Sequence, residues 1–240
     1  MDGRSARPER QNVRCARWKN GVRNGCDFAA REEKRVEYLV KTIENRDQLD
    51  QCELFYVDQY NWGGDYRPKT YGRMGYWKNH GFLVEMTTEE KNPTGVCTEP
   101  DGMVCRETAM EAFFQFFPKD CENQIYLNFE ANVLGTLHAK YGRSRKDRQP
   151  LPMNLRDACG CRCRILENCW KMEIMVPIEV IDYVYGKNEV TGFESGDSFK
   201  CNFYKISDTQ EPVHFGSFTE IKSENPDFHL PEYFADAMIG

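Results

Sequence analysis

A chain of 240 residues with 40% hydrophobic and 13% aromatic residues is long enough to bury one substantial core. No window approaches the roughly 20 consecutive apolar residues that a membrane-spanning helix requires. A formal net charge of −6 at pH 7 argues against nucleic acid as the main partner, because phosphate binding needs cations clustered on a folded surface.

The charge is uneven along the chain. Up to Arg35, ten Lys and Arg face five Asp and Glu, a net +5, so the rest carries −11 of the overall −6. Residues 1–33, basic and poor in apolar side chains, are expected to be a disordered extension, with a nucleic-acid arm as the other reading. Residues 34–240 are expected to form a single domain. Nothing near the start has the apolar run of a secretory signal, and eleven cysteines is an odd number. Reduced thiols and a cytoplasmic location are therefore the expectation.

From Arg31 to Gln51 the apolar Val36, Leu39, Val40 and Ile43 permit either a short helix or an opening strand. CELFYVDQYNW then reads as a strand running into Gly63 and Gly64. YRPKTYGRMGYWKNHGFLVEMTTEE reads as two strands about a turn at Lys78–Gly81, and Pro93, Gly95, Pro100 and Gly102 mark a long loop.

The clearest pattern is MEAFFQFF, the turn PKDCENQ and then IYLNFEANV. Alternation puts Met110, Ala112, Phe114 and Phe116 on one face of the first strand and Glu111, Phe113, Gln115 and Phe117 on the other. In the second, Ile125, Leu127, Phe129, Ala131 and Val133 oppose Tyr126, Asn128, Glu130 and Asn132. Pairing Phe114 with Phe129 would join the greasy faces and set Gln115 against Asn128 and Glu111 against Asn132. WKMEIMVPIEVI alternates as a half-buried strand ended by Pro177, and SFKCNFYKI is a last long strand. Short strands at this spacing, with few helical windows and no repeats, predict an all-β sandwich.

DACGCRCRILENC gathers Cys159, Cys161, Cys163 and Cys169, which raises zinc. A straight CxCxC run spaces sulfurs about 7 Å apart rather than converging them as paired CxxC knuckles do, so strand thiols are the other reading. His80, His138, His214 and His229 are scattered, and no nucleophile motif or phosphate loop is present. Glu111 and Glu130 on one sheet face could be a glycosidase pair or merely solvated side chains. Asp227 and His229 lie two apart in a tail, NPDFHLPEYF, without an identifiable nucleophile. Lectin chemistry is the alternative, in which a flat ring stacks on a sugar while carboxylates and amides bond its hydroxyls.

The succession MEAFFQFFP, YLNFEANVLGTLHAKYGRSRKDR, WKMEIMVPIEVI, FKCNFYKISD and HFGSFTEIKSENPDFHLPEYFADAMI resembles the family-nine carbohydrate-binding proteins, relatives of modules appended to xylanases. The likeness runs from about Gln51 to Ile239. It implies a jelly-roll-like sandwich that binds a mono- or oligosaccharide without catalysis in a shallow cleft. It places a hydroxyl-binding glutamate at Glu111, a clamping ring at Phe228 and a basic residue at His229. Asn128, Glu130, Gln115, Asn202 and Tyr204 are expected beside them. The second clamp position falls on Cys105, which has no ring, so Trp77 or Tyr76 is expected to replace it from another strand. Some relatives hold structural calcium, but no Asp-rich loop places one here, and no cofactor, nucleic acid or membrane is expected. The remaining alternatives are an interaction module with a vestigial sugar site, contacting a partner through its cysteines or the Arg143–Arg148 loop, and a glycoside-processing enzyme using Glu111 and Glu130.

Overall fold

The computed structural model describes residues 37–120, 124–186 and 189–240, so the basic segment 1–33 lies outside the described residues. The chain opens with β1 (Glu37–Ile43), β2 (Leu54–Val57), β3 (Gln59–Gly63), β4 (Thr70–Trp77) and β5 (Gly81–Thr88). The central hairpin is β6 (Ala109–Gln115) and β7 (Tyr126–Asn132), extended by β8 (Leu137–Gly142) and β9 (Gln149–Pro150). After α1 (Met153–Ala158) come β10 (Arg162–Ile165), β11 (Trp170–Pro177) and α2 (Ile178–Tyr185). The chain ends with β12 (Ser198–Ser207), β13 (His214–Ser217) and β14 (Ala235–Ile239).

These strands make two layers joined by one strand. Glu37–Val40 of β1 pairs in parallel with β14 in the first layer, and Lys41–Ile43 pairs in parallel with β4 in the second. The first layer runs β1-β14-β12-β6-β7-β8-β9, with β13 on the rest of the β12 edge and β3 beyond it. The second runs β10-β11-β5-β4, with β2 sharing the free edge of β4. Between the layers lies the main core, in which Met74, Phe82, Val84, Met172 and Ile174 meet Ala112, Phe114, Leu127, Phe129 and Phe203. Phe55 of β2 stacks flat on Phe203 of β12 across the gap, at 3.7 Å between centroids. The sandwich is thus mostly strand with a few short helices, as the alternation predicts.

Two local expectations are corrected. The β6–β7 register is two residues from the expected one: Ala112 faces Phe129, Phe113 faces Asn128, and Glu111 faces Glu130. The strand leaves the ladder at Gln115, and Phe117 turns into left-handed backbone (φ 57°), which lengthens the connection at the expense of the strands. The Tyr185 hydroxyl then closes that connection, accepting from Phe116 N and donating to Ile125 O, each at 2.8 Å. The strand in WKMEIMVPIEVI ends at Pro177 as expected, and the stretch after it is helix, with Val180, Ile181, Val184 and Tyr185 buried on the core. Pro177 ends β11 and fills the helix N-cap position. Finally, Cys159 follows α1, Cys161 precedes β10 and only Cys163 lies within it, so the thiols do not line one strand face. The eight cysteines among the described residues are all free thiols, and no group of three or more His, Cys, Asp or Glu converges there as a metal shell would.

Candidate functional site

The site is built on the outer face of the first layer, away from the main core. Odd residues of β6 and even residues of β7 point there, and the register sets Tyr204, Glu111, Glu130 and His138 in one row across β12, β6, β7 and β8. The next row is Asn202, Phe113, Asn128 and Lys140. Two largely polar rows, with the rings of Tyr204 and Phe113 among them, therefore follow from alternation and register.

Two irregular segments close over this face. The first is the tail from Thr219 to Phe234. Asn202 donates to Thr219 Oγ1 (2.7 Å) and accepts from Thr219 N (3.2 Å), which fixes where the tail crosses β12. Phe228 stacks on Tyr204 at 4.2 Å, and the Tyr204 hydroxyl donates to Phe228 O. His229 lies over Phe113 at 5.0 Å and shares a hydrogen bond with the Tyr126 hydroxyl through Nδ1 (3.0 Å).

The second segment is the basic loop after β8. Asp147 Oδ1 accepts from Arg143 N and Ser144 N, curling the loop over Gly142. A Cβ at Gly142 would sit 2.8 Å from Arg148 Cα, so only glycine admits this approach. The curl brings Arg148 Nη1 to 3.6 Å from Glu130 Oε1 and lets Arg145 pair with Asp227 of the tail at 3.0 Å.

Glu111 is 2% exposed and makes no hydrogen bond among the described residues. Burial, reinforced by the facing Glu130 and opposed by Arg148 and Arg145, pushes its carboxyl well above the usual range. Its proton is therefore held more tightly than that of an ordinary carboxyl. His229 moves the other way: burial first, then Arg148 and Arg145, lower its imidazole to about 2, so the ring is neutral. Cys105, in the 3-10 turn Val104–Arg106, lies near Asp208; burial and then the carboxyls of Glu130 and Glu111 keep its thiol protonated.

Of the expected site residues, the structure brings together Glu111, Glu130, Asn128, Tyr204, His229 and Phe228. Several hold other duties than expected. Phe228 is 5% exposed and buried against Tyr204 and Trp62, so it anchors the tail and does not offer a ring to solvent. Asn202 spends its amide on the tail. Gln115 faces the hairpin loop and bonds Gln124 (3.1 Å). Trp77 is on β4 of the other layer, its indole donating to Glu44 O, and Tyr76 is buried with its hydroxyl accepting from Phe193 N. Neither ring replaces Cys105. Sequence reasoning did not assign Arg148, Arg145, Asp208 and His138 to the site; the cluster of arginines in GRSRKDR was the one visible signal.

The sequence profile described as carbohydrate-binding family 9 matches residues 42–239. The chain belongs to carbohydrate-binding family 9. Its fold is similar to that of a candidate carbohydrate-binding protein from Bacteroides uniformis (TM-score 0.71, 21% identity, covering 85% of this chain and 99% of that one). It is also similar to a family 9 module from Caldicellulosiruptor kristjanssonii, solved in complex with cellotriose (TM-score 0.60, 8% identity, 85% and 93% covered). The same match is found with a family 9 module from that organism in complex with glucose (0.60, 9%, 85% and 96%). No curated protein matches. Membership of the family fits a binding domain built on this sandwich.

Proposed function

We propose that the chain binds a carbohydrate without catalysis on the outer face of the first layer, over the Glu111–Glu130 row. One observation carries this reading. Among the described residues, three buried side-chain atoms lack a hydrogen-bond partner: Asn128 Oδ1, Arg148 Nη1 and Asp208 Oδ1. All three side chains bear on the same pair of carboxyls. Asn128 donates to Glu130 (2.8 Å), Arg148 lies beside Glu130, and Arg148 and Asp208 both shift the titration of Glu111. Leaving a buried polar atom unpaired costs about 1–3 kcal/mol. Two acceptors and a donor set around the buried Glu111 carboxyl complement the hydroxyls of a pyranose, each of which donates once and accepts. The similar modules solved with glucose and cellotriose support a sugar of that kind. His229, partly exposed, is a ring of the cover that lies over Phe113 beside the polar row. Glu111, Glu130 and Asn128 are at most 4% exposed, so a sugar reaches them once the Arg145–Asp227 pair parts.

The test is calorimetric titration with glucose and cellotriose of the wild-type chain and Glu111→Ala. Saturable binding weakened tenfold or more in the variant is expected, a change of about 1.4 kcal/mol. Equal affinity in both would place the sugar elsewhere. Glu111, its carboxyl shifted above the usual range, directly opposite Glu130 also favours glycoside processing, because cross-strand neighbours stand about 5 Å apart, close to the separation of retaining carboxylates. Shorter products after incubation with cellotriose would favour that reading. The burial of Phe228 and the absence of a ring at Cys105 favour the interaction module with a vestigial site, which gains if no sugar produces heat.

A further inference from the structure

Lys205 is 0% exposed, yet it is a cation, and its surroundings account for it. It sits on β12, opposite Met110 and so on the other side of that strand from Tyr204. Its Nζ donates to Thr108 Oγ1 (2.6 Å) and His214 Nε2 (2.7 Å) and stands 3.4 Å from Glu90 Oε2. His214 can accept because its Nδ1 donates to Pro212 O (2.6 Å). Glu90 Oε2 also accepts from the Thr108 hydroxyl (2.7 Å) and from Trp170 Nε1 (2.9 Å). One carboxylate oxygen is thus fully occupied, and Glu90 Oε1 has no partner among the described residues.

That half-used carboxylate is on the wall of a cavity of about 500 Å³, lined among others by Tyr66, Glu90, Asn92, Thr108, Gln210 and His214. The volume lies within the range of small-molecule sites, roughly 300–1,000 Å³. Tyr66 is partly exposed, its ring 5.1 Å from that of His214. The Tyr66 hydroxyl and the Asn92 amide make no hydrogen bond among the described residues. Gln210 donates to Thr94 Oγ1 (2.7 Å), which leaves the Thr94 hydroxyl proton and the Gln210 carbonyl for a ligand.

The charges around the cavity cancel. Glu89 pairs with Lys69 and Glu90 with Lys205, and Glu211 and Lys91 line the wall with opposite signs. A phosphate or an ammonium would find no net counter-charge. A neutral ligand rich in hydroxyls would find a partly exposed ring, a carboxylate oxygen, two amides and two hydroxyls, which are the groups that hold sugars. A network serving only to tie β11, β12 and β13 together would need no free carboxylate oxygen beside an open cavity.

We infer that this cavity is a second carbohydrate site, distinct from the outer-face row, taking a neutral mono- or disaccharide against Tyr66 with Glu90 Oε1 bonding its hydroxyls. The inference rests on the reading that the chain binds carbohydrate and is independent of where on the outer face it does so. The full chain is titrated with glucose, cellobiose and cellotriose by calorimetry and by amide shift mapping, in wild type, Tyr66→Ala, Tyr66→Phe and Glu111→Ala. Two sites are expected in wild type. Tyr66→Ala should weaken one of them tenfold or more while Tyr66→Phe largely retains it, with shifts at Asn92, Thr94 and Gln210. A single site lost in Glu111→Ala and intact in Tyr66→Ala overturns the second site and leaves the outer-face reading standing. A single site lost in Tyr66→Ala and intact in Glu111→Ala does the reverse. No saturable binding in the wild type overturns both.

Discussion

Glu111 and Glu130 face each other on neighbouring strands under a cover of tail and loop, and this cover decides how the protein responds to pH. Because the folded Glu111 carboxyl holds its proton above the ordinary value of about 4.5, the folded state binds a proton that the unfolded chain has already released. Glu111 therefore contributes full stability below that value and loses it as pH rises towards its raised folded value. His229 has the opposite sign: the unfolded ring protonates near 6.5 and the folded one near 2, so stability is gained as pH rises through that window. Comparing wild type with Glu111→Gln, an uncharged isostere, isolates the first effect. In urea unfolding across roughly pH 4 to 8, the variant should gain stability relative to wild type as pH rises. Parallel profiles would mean that Glu111 ionises freely. At this scale the sequence reveals Glu111, Asn128 and Glu130 together because a period of two places them on one face. Arg148, Asp208 and His138 come from a loop, a strand end and a third strand, and no spacing along the chain states which loop folds over which face.

The tail is the element whose role differs most from expectation. Its two prolines and three rings are visible in NPDFHLPEYF, and in the structure it folds back over the sandwich. What alternation cannot convey is the rotation of an irregular segment, so Phe228 and His229 could not be told apart as anchor and surface ring. The hydrogen bonds from Asn202 to Thr219 and from Tyr204 to Phe228 O fix that rotation. Phe228→Ala is accordingly expected to cost about 3–5 kcal/mol of stability, read by urea unfolding. A loss below about 0.5 kcal/mol with abolished sugar binding would instead make Phe228 a ligand platform. The same limit explains the two-residue register error in the central hairpin: both registers keep the apolar faces together, and only the strand exit at Gln115 distinguishes them.

At the scale of the molecule, the class of fold was legible because fifteen phenylalanines and repeated alternation leave little for long helices to do. The order of the strands was not, since it rests on pairings between residues up to about two hundred apart in the chain. The most distant pairing has β1 leaving one layer for the other between Val40 and Lys41, with Phe55 on Phe203 bonding the layers again through the core. The main core lies between the two layers and is shared by both. Denaturation followed by far-ultraviolet dichroism and by tryptophan fluorescence, with Trp62 on the first layer and Trp170 on the second, should give coincident transitions. Separate midpoints would mean that the layers unfold independently. The parallel ladder of β1 with β14 also has a mechanical meaning. Tension applied at the two ends of the sandwich draws these strands lengthwise past one another, so their hydrogen bonds, with that from Gly240 N to Val40 O, share the load instead of opening one by one like a zip. A domain that must grip a polymer while being tugged from its ends is well served by such a seam.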